Sequence, residues 1–239
     1  MRATPATRPD QPTVDAVLSE LKANADPSNV EGMARYGISV NGTWGVSMPI
    51  IRSMAKRLGK SHDLALALWD SWVHEARILA ALADEPAKVT LEQAEKWVKD
   101  IDSWDVCDQL CGNLLDKTTF AYELVPEWVK REEEFVRRAG FVLMTQLAVH
   151  DKRASNERFL EFLSLIENAA TDNRNFVKKA VNWALRQIGK RNSELNVCAI
   201  EVAERLAKSN DKASRWIATD ALRELRSEAV QQRIAKGSR

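Results

Sequence analysis

From Thr13 onward the chain is a succession of segments in which apolar residues recur every three or four positions, the spacing that lines one face of an α-helix. Thr13-Val14-Asp15-Ala16-Val17-Leu18-Ser19-Glu20-Leu21 opens the first segment, with Thr13 or Asp15 available as its cap. A short helix over 29–36 ends before Gly37, and an irregular loop follows in which Gly42 and Gly45 interrupt the pattern. Pro49 suits an early position of the next helix. Helices are then predicted over 49–58, 63–72, 75–83, 91–99, 103–115, 120–129, 132–150, 156–169, 173–189, 193–207 and 211–225, joined by short turns. No segment alternates apolar and polar residues as a half-buried strand would, so the predicted fold class is all-α.

The helices pair at a period of roughly 40 residues, sharing layout more than sequence. That is the arrangement of a superhelical solenoid of HEAT-like helical repeats, an α-α superhelix whose concave face is built from every second helix. An irregular helical bundle is the alternative. Residues 1–12, rich in Pro, Thr and Ala, are expected to be a disordered tail, and 13–239 a single domain.

Three helices break the simple amphipathic rule. In Asp102-Ser103-Trp104-Asp105-Val106-Cys107-Asp108, Asp102 is expected to cap a helix on which Val106, Cys107, Leu110 and Leu114 form the core face. Trp104, Asp108, Cys111 and Leu115 form a second stripe at its margin, where an indole and a carboxylate can flank a groove or cap the edge of a core. The helix over 132–150 is apolar around nearly its whole circumference, yet carries Arg138, whose guanidinium then needs an anion: a protein carboxylate such as Asp108, or a ligand phosphate. Arg137 falls on a more solvent-directed sector. In the helix over 173–189, Trp183 lies opposite the core stripe of Val177, Val181, Ala184, Leu185 and Ile188, among Lys179, Arg186 and Lys190. An indole ringed by cations suits stacking on a base or sugar with phosphates nearby, or else covers a neighbouring hairpin. Tyr36, just before Gly37, can line the mouth of a cleft or fill a core. Trp69, Trp72, Trp97, Trp128 and Trp216 sit at helical spacing with other apolar residues and read as inter-helix packing.

Composition supports a helical protein, with scarce Gly and Pro and 29% charged residues. Three cysteines without a signal peptide or a long apolar run fit a reducing cytoplasm and no membrane span. Cys107 and Cys111 are one turn apart, but no Cys-x-x-Cys or His-x-x-x-His set completes a metal site. His62, His74 and His150 are scattered, and His74-Glu75 does not extend to a zinc-binding His-Glu-x-x-His. The net charge of +1 hides an asymmetry: from Arg137 to the end there are about 20 Lys plus Arg against about 12 Asp plus Glu. That excess suits a nucleic-acid face, or an ordinary solvated surface.

Tyr36, the loop Gly45-Val46-Ser47-Met48-Pro49, the Asp-Ser-Trp-Asp-x-x-Asp run at 102–108, Arg137-Arg138-Ala139-Gly140-Phe141 and Lys179-Ala180-Val181-Asn182-Trp183-Ala184-Leu185-Arg186 together resemble the DNA alkylation repair glycosylases of the AlkD type, from about Val30 to the end. The departures are local: Gly37-Ile38 after the tyrosine, and a shortened loop ahead of Gly45. The resemblance implies HEAT-like repeats around a basic concave face that holds duplex DNA containing alkylated bases. It implies Asp108 as catalytic carboxylate, Trp104 and Trp183 as indoles contacting the lesion-bearing backbone, Arg138 as a phosphate contact and Tyr36 as the aromatic completing the cleft. Lys179, Arg186 and Lys190 are the accompanying DNA-binding candidates. The implied activity is hydrolysis of the N-glycosidic bond of N3- and N7-alkylpurines, with no cofactor, by a cytoplasmic monomer. A non-catalytic HEAT-like module that binds DNA structure or a protein partner is the alternative, and an internal Arg138–Asp108 ion pair a third.

Overall fold

The computed structural model describes residues 12–237, so the tail expected over 1–12 lies, but for Pro12, outside the described residues. Every regular element among them is helical. The chain forms two compact units, Met1–Thr119 and Phe120–Arg239.

The first unit contains α1 (Val14–Ala23), α2 (Pro27–Arg35), α3 (Met48–Leu58), α4 (His62–Trp69), α5 (His74–Ala83), α6 (Leu91–Lys99) and α7 (Trp104–Asn113), with one-turn helices at Pro86–Lys88 and Leu115–Lys117. Local chemistry sets several starts. Thr13, Ser61 and Thr90 accept from amides of the first turns of α1, α4 and α6, and Asp26 caps α2 ahead of Pro27. Helix α5 is buried along nearly its whole length, and α1, α3, α4 and α7 pack around it. Trp69 and Trp97 stack with ring centroids 4.2 Å apart, joining α4 to α6.

The second unit contains α8 (Ala121–Trp128), α9 (Glu134–His150), α10 (Asn156–Ala169), α11 (Asn175–Gly189), α12 (Ser193–Ala207), α13 (Lys212–Leu225) and α14 (Glu228–Gly237). Two layers are evident: α9 packs on α11 and α11 on α13, while α10 packs on α12. Equivalent positions of successive hairpins touch. Arg138 reaches Phe176, Asn182 reaches Asp220, Arg186 reaches Glu224, Asn156 reaches Glu194 and Arg205 reaches Glu167, each across a sequence separation of 38. The roughly 40-residue period of the pattern is thus a 38-residue register in this unit.

Some sequence expectations need correction. Helix α4 stops at Trp69 rather than 72 because Trp72 adopts φ 57, a conformation no helix continues. Trp72 is 56% exposed and Trp216 41% exposed, whereas Trp69, Trp97 and Trp128 are buried as expected of packing residues. Helix α14, where Glu228, Gln231, Gln232, Arg233 and Lys236 surround the inward Val230 and Ile234, was not predicted. No helix among the described residues is long and apolar enough to cross a membrane.

Candidate functional site

Helix α7 begins one residue later than its sequence suggests, and the reason lies on α5. Ser103, not Asp102, is the N-cap. The Asp102 carboxylate is taken instead by Arg77 Nη2 at 2.5 Å, while Arg77 Nη1 donates to the Asp100 carbonyl at 2.8 Å. Arg77 is buried, its guanidinium 5.9 Å from the Trp69 ring centroid and 5.5 Å from that of Trp72. Ser103 Oγ donates to Asp105 Oδ1 at 2.5 Å, and buried His74 donates through Nε2 to Asp105 Oδ2 at 2.8 Å. Burial pushes the Asp105 carboxyl upward, but the His74 imidazole, Ser103 Oγ and the Val106 amide outweigh it and hold the group below its ordinary range.

These contacts fix the two residues that open the helix face. Trp104 and Asp108 are both half-buried, one turn apart, whereas Cys111 and Leu115 farther along the same stripe are fully buried. The stripe therefore runs from solvent at its N-terminal end into the core. Burial, with Cys107, Asp108 and Asp116 close by, drives the Cys111 thiol well above its usual range, so it stays a protonated core residue. Trp104 Nε1 donates to the Tyr36 carbonyl at 3.0 Å. The Tyr36 side chain, at the C-cap of α2, is 76% exposed.

The loop that carries Tyr36 toward α3 is anchored in its turn by α5. The buried Glu75 carboxylate accepts from the amides of Trp44 at 3.0 Å, Gly45 at 2.6 Å and Val46 at 3.2 Å. His74 N donates to the Gly42 carbonyl at 3.0 Å. Gly45 has φ 78, and a Cβ there would lie 2.1 Å from the Asp26 carbonyl oxygen, so only glycine fits. His74-Glu75, two residues without zinc-site spacing, thus tie both the loop and the start of α7 to one buried helix.

The other predicted residues belong to the second unit. Arg138 is buried and donates through Nη1 to the Phe176 carbonyl in the first turn of α11 at 2.7 Å. Arg137 is half-buried beside Asp172, 3.3 Å from Nε to Oδ2, rather than solvent-directed. Trp183 is half-buried on α11. With the Gln187 amide turned to satisfy its neighbours, its oxygen accepts from Trp183 Nε1 and Lys190 Nζ, each at 3.2 Å. The expected ring of cations about Trp183 is revised: Arg186 and Lys190 both pair with Glu224 of α13, and Arg186 also approaches Asp220 at 3.6 Å. Burial raises the Glu224 carboxyl, but Lys190 and Arg186 more than reverse this. Lys179 is exposed.

Tyr36, Trp104 and Asp108 are thus gathered in the first unit, and Arg138, Lys179, Trp183, Arg186 and Lys190 in the second. Sequence reasoning missed Arg77, His74, Glu75 and Glu224 as the groups that position or neutralise them. For Arg77, His74 and Glu75 the signal was charge at positions that had to be buried, and for half-buried Glu224 there was none. Among the described residues no three His, Cys, Asp or Glu side chains gather to hold a metal ion.

Residues 17–225 match the family model of the DNA alkylation repair enzymes, and the chain belongs to that family. An uncharacterised protein of Listeria innocua, Lin0241, is 24% identical over 200 residues, covering 82% of this chain and 87% of the relative. The uncharacterised Listeria monocytogenes protein Lmo0209 is 23% identical over 138 residues, covering 56% of this chain and 62% of its own. Among solved structures, one described as a new family of proteins related to the HEAT-like repeat DNA glycosylases, with affinity for branched DNA structures, matches with a TM-score of 0.74. Its sequence identity is 18%, over 89% of this chain and 95% of that one, a likeness that establishes the HEAT-like helical repeat fold.

Proposed function

We propose that this protein is a monofunctional DNA glycosylase that removes cationic N3- and N7-alkylated purines from duplex DNA. The observation that carries the reading is the indole–carboxylate pair Trp104 and Asp108, one turn apart at the open end of a helix whose start is clamped by Arg77 and His74.

Such a purine is already positively charged, so its N-glycosidic bond is weak and its departure leaves a neutral base. The electron pair of the C1′–N bond goes with the base, positive charge develops on the deoxyribose, and water attacks C1′ and gives up a proton. The protein need only stabilise that charge and orient the water. Asp108 supplies the negative field, and Trp104 and Trp183 offer π faces to the cationic sugar. Because the leaving group needs no protonation or Lewis acid, the reading requires no cofactor. Arg138, Lys179, Arg186 and Lys190 are the accompanying phosphate-contact candidates, with Tyr36 at the mouth of the site.

The test is single-turnover release of N7-methylguanine from a defined duplex in EDTA, comparing wild type with Asp108→Asn and Trp183→Ala. Loss of an electrostatic group of this kind is expected to slow release by about 10²–10³ while most DNA affinity remains. Absence of release above the spontaneous rate, with salt-dependent binding intact, would replace this reading with a binding module, in keeping with the branched-DNA affinity described for the structural relative.

A further inference from the structure

The exposed face of α13 has a composition that packing does not require. Ala213, Ile217, Ala218, Ala221 and Leu225 are buried on one side of this helix. On the opposite side Lys212, Arg215, Trp216 and Arg223 fall within a sector roughly 100° wide, all four exposed to solvent. Trp216 leaves 41% of its surface open, and its ring is approached from α11 by Lys178, whose Nζ lies 4.9 Å from the ring centroid. Lys179 follows Lys178 on the same first turns of α11 and is exposed.

The charges about Trp216 differ in kind from those about Trp183. Arg186 and Lys190 are balanced by Glu224, and Arg223 by Asp220. Among the described residues Lys178, Lys179, Lys212 and Arg215 have no carboxylate within ion-pair distance, the only polar partner of the Arg215 guanidinium being the Ser209 carbonyl at 3.0 Å. An open indole set among four unbalanced cations complements a polyanion that also offers flat apolar faces, and a nucleic-acid strand is that polyanion.

We propose that Trp216 is a second nucleic-acid contact of this protein, one that stacks on an unpaired base while Lys178, Lys179, Lys212 and Arg215 meet the flanking phosphates. The proposal rests on the DNA-acting reading above but not on glycosylase chemistry. In an intact duplex the base faces are covered by their neighbours. An indole held on a rigid helix therefore finds a free face only where a base has left the stack, as in a single-stranded tail, a gap or a branch point. This contact accordingly favours DNA with an unpaired segment over plain duplex.

The test measures binding by fluorescence anisotropy at one fixed salt concentration. The probes are an undamaged duplex, the same duplex carrying a single-stranded tail of about ten nucleotides, and the tail strand alone. Trp216→Ala is expected to lose roughly tenfold or more in affinity for the tailed and single-stranded probes and less than about twofold for the duplex. Trp216→Phe, which keeps a stacking ring, restores most of the loss. Unchanged affinity of Trp216→Ala for tailed DNA would overturn the proposal, as would an equal loss on all three probes. Single-turnover release at saturating enzyme separates the two readings. If wild type releases no base yet Trp216→Ala loses the tail preference, the glycosylase reading fails alone. Release without any tail preference leaves the glycosylase standing and removes this contact.

Discussion

Asp105 illustrates how one half-buried carboxylate can hold the residues beside it in place. Its two oxygens are engaged by His74 Nε2 and Ser103 Oγ, and its backbone follows Trp104 directly. Because its folded-state pKa lies below the ordinary value of 3.8, the stability it contributes is complete above that value and disappears as the pH falls through the lowered one. Asp105→Asn is expected to cost about 1–3 kcal/mol at pH 7. Chemical denaturation as a function of pH should show the gap to wild type closing below 3.8, where the wild-type carboxyl itself becomes protonated. A gap that persists unchanged into acid would mean that the charge on Asp105 is not what holds the start of α7. None of this was legible beforehand. Asp102 reads as the cap from its position, because the competing guanidinium of Arg77 arrives from 25 residues earlier in the chain. Trp104 and Asp108, in contrast, stood out because an acid and an indole share a helical stripe beside a fully apolar one.

At the scale of the element, most helices were readable because period and caps act over a few residues, and the failures occur where tertiary contact overrides them. The segment 63–72 has helical spacing throughout, yet it closes at Trp69 and Trp72 takes a left-handed turn beneath the guanidinium of Arg77. Trp216 has the spacing of a packing residue, but 41% of it stays open and Lys178 stands over its ring. Gly140 reveals another constraint that periodicity cannot express. It sits inside α9, where a larger residue would favour the helix, but a Cβ there would lie 2.7 Å from Val129 Cγ1 and 2.9 Å from the Val129 backbone nitrogen. The end of α8 therefore presses directly on the backbone of α9. Gly140→Ala gains helix propensity but must push the two apart, and overpacking of this kind outweighs propensity. A net loss of about 1–3 kcal/mol is expected in equilibrium denaturation. A gain in stability would show that Val129 moves aside without resistance.

For the whole molecule, a net charge of +1 gives no general attraction to DNA, so the DNA affinity proposed above must come from where the charges sit and from which of them are already balanced. Counting basic residues from Arg137 onward detects the excess but cannot separate a cation paired with Glu224 from one open to water. Each unbalanced cation that meets a phosphate releases condensed counterions and contributes about −0.9 to the slope of log K against log salt concentration. Replacing Lys178 and Lys179 together by Gln should therefore make that slope shallower by about two. Arg186→Gln removes a charge that Glu224 already compensates, so its effect on the slope should be well under one. Glu224→Gln, which frees Lys190 and leaves Arg186 only the longer contact to Asp220, should steepen the slope and raise affinity. A titration of binding to the duplex with a single-stranded tail, from low to moderate salt, with these three variants checks all the differences at once. If Arg186→Gln flattens the slope as much per charge as the lysine pair does, the Glu224 ion pairs open when DNA binds, and the balanced and unbalanced cations of α11 meet phosphates alike.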